Sequence, residues 1–123
     1  MERPPAERFE DLLIWQKSHA LTLRVYKLTK AYPRDELFGL TSQMRRAAVS
    51  VPANIAEGFS KKSKPDKARI FNIAQASLEE LRYYFMLSRD LGYLPPATEW
   101  NDLSEVARML GAYIRSVLGR TNS

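Results

Sequence analysis

The sequence predicts an all-α protein, an up-down-up-down antiparallel four-helix bundle in a single domain spanning residues 1–123, with an ordered core over about 9–119. Three observations lead there. Four segments repeat apolar residues every three or four positions, the spacing of one helix face. Gly and Pro punctuate the intervals between them, and no alternating apolar–polar run competes as a strand. The segments average about 24 residues, roughly 36 Å at about 1.5 Å per residue. Helices of similar length joined by short connections settle as antiparallel neighbours.

The first helix is expected from about Asp11 to Ala31, with Ile14, Leu21, Val25 and Leu28 on one face and Leu12, Trp15, His19 and Tyr26 on the next. Pro33 stops it, since its ring and missing N–H cannot continue the ladder. The second starts near Asp35, a residue suited to capping exposed amides. It carries Leu37, Leu40, Met44, Ala48, Val51 and Ile55 on its stripe and ends at Gly58. Pro52 falls inside it and removes the hydrogen bond to the Ala48 carbonyl, so a bend is expected there. The third opens at Ser63, which with Asp66 has the spacing of a capping box, and Pro65 is tolerated in the first turn. Ile70, Phe71, Ala74, Leu78, Leu81 and Phe85 form its stripe, and Gly92 ends it. Pro95 and Pro96 make the last connection before a fourth helix from about Ala97 to Leu118, with Leu103, Val106, Leu110, Ile114 and Val117 facing inward.

More apolar surface is present than one bundle hides. Tyr83, Tyr84 and Phe85 are consecutive and so point about 100° apart, which leaves at least one large ring outside the core. Trp100, Tyr93 and Tyr113 also lie off the main stripes. This excess predicts self-association.

Composition narrows the chemistry. The absence of cysteine removes disulfides and thiolate metal sites and fits a reducing compartment. No apolar run approaches the roughly 20 residues that span a bilayer. Acidic residues and prolines occupy the first residues in place of an apolar signal, and a cytoplasmic location is expected. His19 is the lone histidine, and no cluster has metal-ligand spacing, so no metal or cofactor is expected. Glu79 and Glu80 are adjacent and cannot face each other on a helix. Phosphate-binding glycine loops, a nucleophile elbow and SxxK are all missing, and the chain is read as a non-enzyme without catalytic residues. Gln43, Arg46, Ser50 and Glu57 lie at intervals of three, four and seven, and Asn54 joins them. This polar stripe suits a network between helices or subunits, a solvated face or, least of all, an active-site wall.

Charge supplies the main functional lead. The net charge is +5, and residues 61–69 alone carry +4, leaving +1 for all the rest. Lys61, Lys62, Lys64, Lys67 and Arg69 sit at the junction of helices two and three, where helix amides also favour anions. Arg45 and Arg46 form a second basic pair whose side chains diverge by about 100°, so at most one points inward. Such residues fit phosphate contacts that ignore base identity and weaken with salt. The bland reading of the lysine run is a solubilising loop.

FEDLLIWQKSHAL, YPRDELFGLTSQMRRAAVSVPANIAEG, FNIAQASLEELRYY and LGYL together resemble the four-helix-bundle family of 23S ribosomal RNA intervening-sequence proteins, from Phe9 to about Leu118. Gly39 to Gln43 and Arg45 to Gly58 carry the most specific stretches. Gln75-Ala76-Ser77 departs mildly, since the family reads Gly before Ser. The resemblance implies a homopentameric ring. A related branch comprises the accessory variability proteins of diversity-generating retroelements, basic pentamers that engage a reverse transcriptase and nucleic acid. The function expected is therefore a homo-oligomeric basic protein that contacts nucleic acid, RNA foremost, through Arg45, Arg46, Lys61, Lys62, Lys64, Lys67 and Arg69. The alternative is a scaffold or accessory subunit docking a partner such as a reverse transcriptase or ribosomal component.

Overall fold

A computed structural model describes residues 5–119. Four helices make the body: α1 (Leu13–Thr29), α2 (Leu40–Ser60), α3 (Lys64–Asp90) and α4 (Asn101–Gly119), and no strand occurs among the described residues. Short 3-10 turns over Phe9–Asp11 and Arg34–Glu36 precede α1 and α2. Each helix packs on its sequence neighbours, and α4 closes against α1. Contacting residues run in opposite order on each pair. Thr22 meets Ala48 while Arg45 meets Thr29; Ser77 meets Ser50 while Ser88 meets Met44; Phe71 meets Tyr113 while Phe85 meets Trp100. Neighbouring helices are thus antiparallel.

The predicted stripes account for most of the core, to which Tyr32, Ala47 and Leu94 add from outside them. All six α3 stripe residues are buried, as are Leu40, Met44, Ala48, Val51 and Ile55 of α2 and Leu103, Val106 and Leu110 of α4. Ile114 and Val117 are only partly covered, where α4 runs toward its end. Tyr83 stays 56% exposed beside a fully buried Phe85, so the third helix does present a large ring to solvent.

Element ends differ from the sequence expectation for identifiable reasons. Leu12 is extended and separates the first 3-10 turn from α1, which therefore begins at Leu13. Asp35 caps nothing in α2, because residues 34–36 form their own turn. Glu36 takes that role, its Oε1 accepting the Leu40 N–H at 3.2 Å. Gly39 makes room for it, since a Cβ there would lie 2.8 Å from that oxygen. Leu37, displaced into the connection, is 47% exposed and leaves the core stripe. Gly58 does not end α2; it is buried inside the helix, and a Cβ would sit 2.4 Å from Cε1 of Phe71. Glycine is there to let α2 and α3 approach.

Ser63 caps α3 as expected, its Oγ accepting the Asp66 N–H at 3.2 Å. At the other end Gly92 adopts φ 81°, the Tyr93 N–H reaches Ser88 O at 2.9 Å and the Gly92 N–H reaches Arg89 O at 3.0 Å. That paired closure satisfies the last carbonyls of the helix. α4 starts at Asn101 and not near Ala97, because a turn closed by the Thr98 N–H on Pro95 O occupies the intervening residues. Arg24 fixes the start of α4 to α1, donating to Asp102 Oδ1 at 2.7 Å and to Glu99 O at 2.8 Å.

Pro52 is buried within α2, and the carbonyl it cannot bond finds a partner on the neighbouring helix. Thr22 Oγ1 of α1 lies 3.0 Å from Ala48 O and 2.9 Å from Ser18 O. Ser18 O already has a helical amide by regular α-helix geometry. Ala48 O has lost its own to the proline, so the threonine hydroxyl supplies the missing donor.

Candidate nucleic-acid interface

The α2–α3 junction is made by Lys61, whose ψ of 146° turns the chain out of α2, and by Ser63, extended at ψ 149° before α3 begins. This brings the cationic segment to one end of the bundle. Its members do different work there. Lys67 folds back over the end of α2, its Nζ donating to Gly58 O and Phe59 O, both at 3.0 Å, with the Phe59 ring 5.9 Å away. A cation over the last carbonyls completes a helix C-terminus. Burial pulls the Lys67 ammonium below the ordinary lysine range. Lys67 is thereby a structural cap and not a free phosphate ligand. Lys61 sits 4.0 Å from Glu57 across one helical turn, a loose and exposed pair of little energetic weight. Lys62, Lys64 and Arg69 make no hydrogen bond or ion pair with the described residues and remain available to an anion. The helix amides contribute less than the sequence suggested: Ser63 consumes the Asp66 N–H, and Pro65 has none.

The arginine pair belongs elsewhere. Arg45 is half-buried against α1, its Nε donating to Thr29 Oγ1 at 2.9 Å and its guanidinium 4.8 Å from the Tyr26 ring centre. Arg46 is exposed on the outer side of α2. Fifteen residues separate Arg46 from Lys61, about 22 Å along the helix at about 1.5 Å per residue. The seven cations therefore do not form one patch.

The polar stripe also divides. Asn54 Nδ2 donates to Ser50 O at 2.7 Å and to Ser50 Oγ at 2.9 Å, and Ser77 Oγ donates to Ser50 Oγ at 2.8 Å. A hydroxyl–amide chain thus bridges α2 and α3. Gln43 and Glu57 stay outside it and are exposed. Ser77, which completes the bridge, was not among the sequence candidates; its place within the apolar face of α3 was the available signal. His19 is exposed and stacked on Trp15, with rings 5.0 Å apart and 9° from parallel. Among the described residues no group of His, Asp or Glu side chains is arranged to hold a metal ion. No helix there is long and apolar enough to cross a membrane.

Residues 10–115 match the family model described as 23S rRNA-intervening sequence protein. That span contains all four helices except the last turn of α4, together with every cation discussed above. The chain belongs to the 23S rRNA-intervening sequence protein family. Within this family frame, the PANIAEG stretch holds the two features that shape α2, Pro52 with its outside hydrogen-bond donor and Gly58 against Phe71. No curated protein matches the chain.

Proposed function

We propose that this intervening-sequence protein is a non-enzymatic homo-oligomer that binds nucleic acid, RNA foremost, through phosphate contacts at the α2–α3 junction. The observation that carries the proposal is the set of uncommitted cations Lys62, Lys64 and Arg69 gathered at one end of the bundle, with Lys61 loosely held beside them. Arg45 and Lys67 drop out of the contact set because each is engaged within the fold. The family description, which concerns an element of ribosomal RNA, supports RNA as the ligand. Repetition of the patch around an assembly, five copies by the family resemblance, raises avidity without any new contact.

A salt titration of the purified protein against labelled structured RNA tests this, with mass read by light scattering on the same sample. Three phosphates engaged by one subunit give a slope of log K on log salt of about −2 to −3. Lys62→Gln with Lys64→Gln should weaken binding for every RNA sequence and reduce the slope by about 2. Absence of binding at low salt by an intact oligomer would overturn the direct RNA contact and favour the partner-dependent scaffold.

A further inference from the structure

The connection from α1 to α2 walls a hollow of about 360 Å³, at the end of the bundle away from the lysine run. Three cations line it, Lys30, Arg34 and Arg45, and neither acid of the connection does. Glu36 accepts from the Leu40 N–H and the Tyr93 hydroxyl. Asp35 is exposed beside Arg34 but is not part of the wall. Lys30 and Arg34 are exposed and make no hydrogen bond or ion pair with the described residues. Arg45 is held in place by its Nε on Thr29 and by the Tyr26 ring, while its two Nη amino groups have no hydrogen-bond partner among the described residues.

Thr41 is the second observation. It is 3% exposed and lines the same hollow, yet its hydroxyl bonds to nothing among the described residues. No sealed side-chain oxygen of the described residues lacks a partner, so this hydroxyl keeps an opening to the outside. A hydroxyl so deeply placed is costly unless something bonds it. The start of α2 adds further donors. The Leu40 N–H goes to Glu36 and the Gln43 N–H to Gly39 O, but the Thr41 and Ser42 N–H groups between them have no acceptor among the described residues. Such amides form the positive end of a helix. The last carbonyls of α1, which would oppose an anion, are occupied: Val25 O by the Thr29 hydroxyl, Leu28 O and Thr29 O by the amides of Ala31 and Tyr32.

We infer that this hollow is a phosphate-binding site, with Lys30, Arg34 and the Arg45 Nη groups supplying charge and the Thr41 hydroxyl a directed hydrogen bond. Ammonium, guanidinium, hydroxyl and amide groups all donate, and a phosphate group presents several acceptor oxygens that match a guanidinium fork. The inference adds a second site to the proposed function and rests on that reading only for RNA as the source of the phosphate; a free phosphate compound offers the same chemistry. Arg45 and Lys61 are sixteen residues apart, about 24 Å along α2 at about 1.5 Å per residue, so the hollow is independent of the α2–α3 junction.

Isothermal titration calorimetry of the full chain with pyrophosphate at low salt, with acetate as the control anion, tests the site. Pyrophosphate should bind, and acetate at the same concentration should not. Thr41→Val keeps the side-chain shape and breaks no hydrogen bond within the fold, so Tm should stay at or above the parent value while pyrophosphate affinity falls about ten-fold. Lys30→Gln with Arg34→Gln changes two exposed positions and should abolish measurable binding at unchanged Tm. Pyrophosphate affinity unaltered in both variants, or no binding by the parent protein, overturns the inference. A lower Tm in Thr41→Val shows that the hydroxyl serves the fold and removes it from the site. Labelled RNA then separates the sources. RNA affinity that falls with Lys30→Gln and Arg34→Gln, in addition to the loss from Lys62→Gln with Lys64→Gln, assigns the site to RNA phosphate. RNA affinity unchanged in that variant while pyrophosphate affinity falls assigns it to a free phosphate compound. Pyrophosphate binding in a protein that ignores RNA sinks the proposed function and leaves this site standing.

Discussion

Replacing Thr22 by valine removes one hydroxyl and keeps the shape. Thr22 is 7% exposed and its Oγ1 stands 3.0 Å from the Ala48 carbonyl that Pro52 cannot serve. Without it, Ala48 O is left unpaired, at a cost of about 1–3 kcal/mol. In a chain of this length each kcal/mol corresponds to roughly 3–6 °C in Tm, so Thr22→Val should melt several degrees or more below the parent. The decisive measurement is the same substitution in a Pro52→Ala background. Alanine restores an amide at position 52, which can bond Ala48 O within α2, and the hydroxyl then becomes nearly dispensable. The cost of Thr22→Val should fall to under about 1 kcal/mol, leaving a coupling of about 1–2 kcal/mol in a double-mutant cycle that cancels the packing changes of each single variant. Chemical denaturation with circular dichroism detection on all four proteins reads it. Equal losses in both backgrounds would refute the idea that Thr22 stands in for the missing amide.

Pro52→Ala has its own readout: if the proline sets a bend that the fold or assembly needs, Tm or oligomer mass changes, and unchanged values of both remove the bend from the account. Gly58→Ala should destabilise by about 1–3 kcal/mol although alanine favours helix, because the new methyl meets the fully buried Phe71 ring at 2.4 Å; a rise in Tm would contradict the close approach. Lys67→Met should lower stability by about 1 kcal/mol through loss of its two carbonyl contacts while leaving RNA affinity near the parent value, the reverse of the pattern for Lys62 and Lys64. Burial raises the Tyr32 hydroxyl above its ordinary value, opposed in part by Ser88. The folded state therefore holds that proton longer than the unfolded chain, so its contribution is intact below about pH 10 and is lost as pH rises toward the folded value. Tyr32→Phe should flatten the alkaline fall in Tm, and an identical fall in both proteins would exclude Tyr32 as a source.

What was legible in the sequence was local. Ile70 through Phe85 repeat with helical period and are buried as a set, and Ser63 caps the amide three residues ahead, because both depend on neighbours a few positions away. Gly58 read as a stop because glycine commonly follows a helix; only the Phe71 ring, thirteen residues on, turns it into a point of close approach. The same holds for charge. Lys67 is indistinguishable from Lys62 and Lys64 in composition, and its commitment to two α2 carbonyls appears once the chain has reversed direction. Helical spacing already separates Arg45 from Arg46, but that Arg45 is the one turned inward depends on Thr29 and Tyr26 of α1. The Ser50–Ser77 bridge joins residues 27 positions apart, beyond any periodicity argument.

The hold of Arg24 on α4 has a kinetic consequence. Its bonds to Asp102 and Glu99 connect positions 78 and 75 residues apart, so docking of the last helix closes a long loop. Contacts that close long loops bear their entropic cost before they give any return. The α1–α4 contact is also the slightest of the four between helices. Its other cross-link, Lys17 with Glu105, is substantially exposed. Closure of α4 onto α1 should come late in folding, and transient opening should begin there. Amide exchange would then find the backbone of α4 the least protected of the four helices, with α2 and α3 persisting as the slow-exchanging pair.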